Sequence, residues 1–319
     1  MASTNQPWSP ESDPAATSPA LAPAPAPSTA GNLWWAALKP PMYSVAVMPI
    51  WGGTALAWHL EGTLNAPVFA TFLGAAVLIL AWLNLTNDVF DSETGIDQNK
   101  HHSIVNLTGR KTLIFGIANL CLGLGLVSLA ILSVLQGNFV VLGLVLLCCG
   151  LGYTYQGPPF RLGYLGLGEP ICFVTFGPLA VAAAYYSQAQ SWTPLIWPVG
   201  IIIGLTTTLI LFCSHFHQVK DDLAAGKYSP IVRIGTKTGA IVTQIMIGLV
   251  FGLTVLGWGL GQFPVTVLLV LASLPWGIYL GQYVQQYYDI PSMIQSSKFI
   301  AVSLHFWSGL LLGLGWIWA

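Results

Sequence analysis

Asp88, Asp91, Glu93 and Asp97 lie within ten positions of one another, in the stretch NLTNDVFDSETGIDQNKHH that spans residues 84 to 102. Some twenty uncharged, mostly apolar residues precede them. A second acidic stretch, HQVKDDLAAGKYSPIVRIG from 217 to 235, carries Asp221 and Asp222. Basic residues accompany both: Lys100, Arg110 and Lys111 follow the first, and Lys220, Lys227 and Arg233 lie in the second. Carboxylates this close repel one another unless a cation neutralises them. Mg²⁺ suits the need, because it takes one or two carboxylates together with substrate phosphates rather than a full protein cage. A bare cation site has no use for six nearby Lys and Arg side chains. A ligand that is itself multiply anionic does, and carboxylates with lysines and arginines around Mg²⁺ describe a diphosphate site.

Helices must position these groups. If the apolar helix entering the first stretch continues through it, Asn84, Asn87, Asp88 and Asp91 recur at i, i+3, i+4 and i+7 and share one face. In the second stretch Gln218 and Asp222 are four apart, with Asp221 alongside. Ionisable groups near the end of a membrane helix face a cavity or the bundle interior.

That the helices are membrane helices follows from composition. The chain has 319 residues, of which 55% are hydrophobic and 7% charged; soluble domains carry about 25% charged residues. A bilayer-crossing helix needs about 20 mostly apolar residues, and nine candidates are predicted, at about 41–60, 66–87, 112–136, 138–157, 167–187, 194–218, 238–260, 263–285 and 298–318. All ten Lys and Arg residues then fall on one side of the membrane, which the positive-inside rule assigns to the cytoplasm, while the opposite loops hold only Glu61. This places the N-terminus and both acidic stretches inside and the C-terminus outside. Residues 1–33, rich in Pro, Ala and Ser and without Lys or Arg, are expected to form a disordered cytoplasmic tail ahead of a single membrane domain over 34–319. A net charge of −1 gives no electrostatic ground for binding nucleic acid. The five cysteines lie in apolar runs without CxxC spacing, as packing residues do.

The two acidic stretches follow even-numbered spans, four spans apart, and NLTGRKTL (106–113) echoes RIGTKTGA (233–240) at the entry to the next helix. An internal duplication of a four-helix unit is suggested. With these motifs the sequence resembles the UbiA superfamily of membrane-embedded aromatic prenyltransferases, over nearly the whole chain after residue 34. The resemblance implies an all-α bundle of nine transmembrane helices, with two aspartate-rich motifs that bind Mg²⁺ and a prenyl diphosphate. NLTNDVFDSETGID, YTYQGPPFRLGYLGLGE (153–169) and GKYSPIVRIGTKTG (226–239) look like the branch acting on 1,4-dihydroxy-2-naphthoate. FCSHFHQVKDDLAAGK is most similar to its cyanobacterial and plastid members, which attach a phytyl chain. Asn87, Asp88, Asp91 and Asp97 match the first motif; Asp221 and Asp222 match acids of the second. Many relatives carry an acid where this chain has Gln218, and other branches carry Asn at the places of His215 and His217.

The resemblance further implies transfer of a phytyl or geranylgeranyl group from its diphosphate to dihydroxynaphthoate with loss of CO₂, in a cyanobacterial thylakoid or bacterial inner membrane, on the route to phylloquinone or menaquinone. Asp88, Asp91 and Asp222 are the expected catalytic carboxylates, and these three with Asp97 and Asp221 the expected metal ligands. Arg161, Tyr153 and Tyr155 are candidates for holding the acceptor, since a guanidinium suits an aromatic carboxylate. Glu169 reads either as a helix-terminal acid facing the dipole or as an acceptor-site base. His101 and His102 read as solvated residues, a proton relay or a phosphate contact. Homogentisate phytyltransferase, chlorophyll synthase and haem farnesyltransferase are rivals within the superfamily. An ion-coupled transporter would place ionisable groups at mid-span, where six of the nine segments have essentially none.

Overall fold

The computed structural model describes residues 39–96 and 103–319. The expected tail, Asp97, Lys100, His101 and His102 lie outside them. All nine segments predicted as spans are helical, and no strand occurs among the described residues. We number them α1 (Ser44–Glu61), α2 (Ala66–Thr94), α3 (Lys111–Gln136), α4 (Val140–Gln156), α5 (Gly168–Ala189), α6 (Ile196–His215), α7 (Thr236–Gly259), α8 (Val265–Tyr287) and α9 (Ser297–Ile317). Seven are long and apolar enough to cross a bilayer. The other two, α1 with 18 residues and α4 with 17, are shorter. Large apolar residues on α3 and α7, such as Leu124, Val127, Ile131, Ile245 and Leu249, are exposed, which suits contact with lipid rather than water.

Helix α2 decides where the first acidic stretch sits. Asn65 caps its N-terminus by accepting from the Val68 N–H, and the helix then runs unbroken for 29 residues to Gly95, whose φ of 76° ends it. At 1.5 Å per residue it is about 44 Å long, more than the roughly 30 Å hydrocarbon core. Its last turns can therefore lift Asn84 to Asp91 to the membrane edge on one face, as the spacing predicts.

Helices α5 and α6 meet unusually closely. A side chain at Gly177 would strike the Gly200 carbonyl and the Gly204 Cα, 2.6 and 2.7 Å from the added carbon. Here α5 relaxes into a π-turn over Thr175–Leu179, around Pro178. Small residues at such a crossing let backbones approach where lipid offers no hydrophobic drive to pack. The seam fixes the first turn of α5 against the last turn of α6. Along its side the bundle is closed by α9, which packs on α1, α6 and α8. Buried His305 of α9 braces three helices: its Nδ1 lies 2.9 Å from Thr206 Oγ1 on α6, and its Nε2 3.2 Å from the Ser44 carbonyl on α1.

Candidate active site

The two acidic stretches are built alike. Asp88, fully buried, receives Lys39 Nζ at 3.2 Å on Oδ1 and the backbone N–H of Ile104 at 3.1 Å on Oδ2. Ile104 starts the five-residue helix Ile104–Thr108, which follows Ser103 and ends at Gly109 with φ 63°. In the second stretch Asp222, 1% exposed, accepts from Ser229 Oγ at 2.8 Å and lies 3.5 Å from Lys227 Nζ. Ser229 precedes the five-residue helix Pro230–Ile234, which ends at Gly235 with φ 81°. Each half thus has a buried aspartate that holds a lysine and the start of a short helix leading into the next long one. The duplication suggested by two short sequence echoes recurs in side-chain geometry.

The loop between α4 and α5 joins the halves. Tyr164 shares a 2.6 Å hydrogen bond between its hydroxyl and Thr94 Oγ1 at the end of α2, and its carbonyl accepts from the Tyr228 N–H at 2.8 Å. Arg161 Nη2 lies 3.4 Å from Glu93, which also holds Lys111 Nζ at 2.8 Å. Arg233 donates to the carbonyls of Leu165 and Tyr228, both at 3.0 Å. Tyr153 donates to the Pro158 carbonyl at 2.8 Å and sets its ring edge-on to Phe90.

Tyr155 lies in the last turn of α4. Its ring lies against Gly168, where an added carbon would come within 2.6 Å of it. It stands within coulombic reach of Glu169, Asp91, Cys172 and Asp222, which come from α5, α2 and the second acidic stretch. Asn84 Nδ2 and Asn87 Oδ1, on the Asp91 face, are buried and make no hydrogen bond among the described residues. Gln218 and Asp222 share a helical turn, closed by the Asp222 N–H on the Gln218 carbonyl at 2.8 Å. Arg110, Lys220 and Asp221, by contrast, are exposed.

One pairing could not be read from sequence. Glu169, in the first turn of α5, and His215, in the last turn of α6, are 46 positions apart and both buried, yet His215 Nδ1 lies 2.8 Å from Glu169 Oε1. Glu169 was legible as a helix-terminal acid or an acceptor-site base and His215 as one of two nearby imidazoles, but nothing in the spacing paired them. Lys39 was likewise legible as a topogenic charge and not as a partner of Asp88.

A profile of the UbiA prenyltransferase family matches residues 46–318. The chain belongs to that family. It is similar to the 2-carboxy-1,4-naphthoquinone phytyltransferase of Synechocystis sp., at 54% identity over 299 residues, covering 94% of this chain and 97% of that one. The chloroplastic 2-carboxy-1,4-naphthoquinone phytyltransferase of Arabidopsis thaliana is 43% identical, covering 89% and 76%. The 1,4-dihydroxy-2-naphthoate octaprenyltransferase of Escherichia coli is 31% identical over 215 residues, covering 63% and 68%. A UbiA homolog from Archaeoglobus fulgidus, solved bound to GPP and Mg²⁺, aligns with a TM-score of 0.61 at 14% identity, over 88% of this chain and 99% of that one. At that identity the likeness is one of fold. This UbiA family member is an integral membrane prenyltransferase whose two acidic stretches are brought to one end of the bundle.

Proposed function

We propose that the chain transfers a phytyl group, or a prenyl chain of similar length, from its diphosphate to C2 of 1,4-dihydroxy-2-naphthoate, releasing CO₂ and diphosphate. The observation that carries this reading is the joining of the two acidic stretches through Tyr164, which bonds Thr94 just beyond Asp91 and Tyr228 just beyond Lys227, with Lys227 held beside Asp222. The 54% identity to a naphthoquinone phytyltransferase along 94% of the chain supports the acceptor class. The relatives' names describe the acceptor in two oxidation states. Attack on an allylic cation needs an electron-rich carbon, and the dihydroxy form supplies it where the quinone does not.

The residues present fit Mg²⁺. No three His, Cys, Asp or Glu side chains form a ready-made cage among the described residues, which matches an ion that completes its shell with substrate phosphate oxygens. Asp91 with Asn87, whose buried Oδ1 makes no hydrogen bond among the described residues, would hold it on one wall, and on the other Asp222, whose Oδ1 stands 3.5 Å from Lys227 and is held less closely than either oxygen of Asp88. When bound, Mg²⁺ neutralises charge on the departing diphosphate. Lys227 and Lys39 offer ammonium groups to the same anion. The bundle interior keeps water from the allylic cation: an apolar cleft between α1, α2, α4 and α5 is lined by Ile50, Phe72, Ile79, Val145 and Phe176. Phe176 is seven residues beyond Glu169 on α5, about 10 Å deeper at 1.5 Å per residue, so the cleft lies where an isoprenoid tail would extend. Sided by the basic loops, the site opens toward the cytoplasm, in a cyanobacterial thylakoid or a bacterial inner membrane.

The test is incubation of membranes containing the chain with dihydroxynaphthoate, Mg²⁺ and a panel of prenyl diphosphates, with products identified by mass. A decarboxylated prenyl naphthoquinol is expected, most abundant with the phytyl donor. Prenylation of homogentisate with no naphthoquinol from any donor would overturn the acceptor assignment.

A further inference from the structure

We propose that Glu169, held by His215, is the base that takes the proton from the acceptor hydroxyl next to the attacked carbon. This rests on the dihydroxynaphthoate reading above. Glu169 is 7% exposed and His215 2%, and only one carboxylate oxygen, Oε1, is occupied by the imidazole. Oε2 is buried and makes no hydrogen bond among the described residues. A buried carboxylate oxygen without a partner costs about 1–3 kcal/mol or more until something satisfies it. An incoming hydroxyl satisfies it. Glu169 follows Gly168, against which the Tyr155 ring packs, at the end of the loop that joins the two acidic stretches. Helix α5 therefore places the base beside Tyr155, one of the acceptor candidates.

The proton balance asks for such a group. As a ring π pair forms the bond from C2 to the terminal prenyl carbon, the neighbouring C1 hydroxyl becomes that of a protonated ketone. That species is far more acidic than any carboxylic acid, so a carboxylate is a sufficient base. Glu169 Oε2 takes the proton and leaves a neutral ketone with both the prenyl and carboxylate groups on C2. The bond from C2 to the carboxylate then breaks; its electron pair returns to the ring, CO₂ departs, and the oxygen becomes a naphtholate. Glu169 gives its proton back to that oxygen. No proton is consumed overall, so the base needs no outlet to solvent, in keeping with its burial. His215 positions Oε1 by donating from Nδ1 and is a positioning residue.

The experiment uses the full chain in membranes and compares wild type with Glu169→Gln, Glu169→Asp and His215→Asn. Glu169→Gln is expected to lower kcat by about 10²- to 10⁴-fold, with KM for donor and acceptor within about threefold of wild type and partial recovery in Glu169→Asp. His215→Asn, whose freely rotating amide only partly replaces the ring-fixed Nδ1 donor, is expected to lose about tenfold in kcat. Wild-type kcat in Glu169→Gln would overturn the proposal. So would a large rise in donor KM, which would assign the pair to the fold. If Glu169→Gln does not accumulate in membranes, unchanged kcat in His215→Asn overturns the proposal in its place. Absence of any naphthoquinol from wild type would overturn the acceptor assignment together with the base, whereas variants equal to an active wild type overturn the base alone.

Discussion

Replacing Asp88 by Asn separates two roles that an aspartate in this motif can have. Both carboxylate oxygens are engaged by the fold, one by Lys39 Nζ at 3.2 Å and one by the Ile104 N–H at 3.1 Å. The side chain of Asp88 is 1% exposed and that of Lys39 20%. Removing one partner of a buried ion pair costs about 3–5 kcal/mol when the other charge is stranded. Lys39 is partly exposed and can turn toward water, so a value at or just below that range, about 2–3 kcal/mol, applies. The amide oxygen keeps an acceptor for Ile104, so the loss comes from the lysine and not from the helix start. At about 2–4 °C per kcal/mol for chains of this order, the melting temperature in detergent should fall by roughly 5–10 °C. The fall should be the same in EDTA as in Mg²⁺, and the Mg²⁺ concentration giving half-maximal activity should stay within about threefold of wild type. An unchanged melting curve in EDTA, together with a rise of tenfold or more in that Mg²⁺ concentration, would refute the reasoning and make Asp88 a metal ligand.

Two further outcomes follow from the same geometry. Asp91→Ala and Asp222→Ala should each lower turnover by at least about 10²-fold, while EDTA should abolish and Mg²⁺ restore wild-type activity; near-wild-type rates in either variant would count against the diphosphate site. Gly204→Leu should force α5 from α6, since even a single added carbon would meet the Phe173 carbonyl at 2.9 Å. Overpacking of this kind costs about 1–3 kcal/mol, and turnover should fall with the Mg²⁺ dependence unchanged, as read from thermal scans and activity titrations.

Much of the site was legible along the chain because it is carried by local repeats. Asn84, Asn87, Asp88 and Asp91 share a face once α2 is helical, and nothing in NLTNDVFDSET stops a helix before Gly95. The basic loops were legible too, although their roles were not. Arg161 and Lys111 both meet Glu93, and Arg233 clasps the carbonyls of two loops. A guanidinium able to bind a carboxylate or a phosphate binds whichever acceptor the fold brings near, and spacing is silent on that choice. Gln218, Lys220 and Asp221 illustrate the same gap: adjacent in sequence to Asp222, they differ in exposure because one helical turn sends neighbours in different directions.

The sequence by itself determined a helical membrane protein with two acidic stretches at the ends of apolar helices, because hydropathy, helical period and charge asymmetry are properties of contiguous residues. The tertiary structure decided which of those acids meet. Asp88 and Asp222 turned out to hold lysines and helix starts in matching ways, and Glu169 found His215 across 46 positions. That last contact depends on the close crossing of α5 and α6 at Gly177, Gly200 and Gly204. Such a crossing is set by the shapes of two surfaces pressed together, which no single stretch of chain encodes.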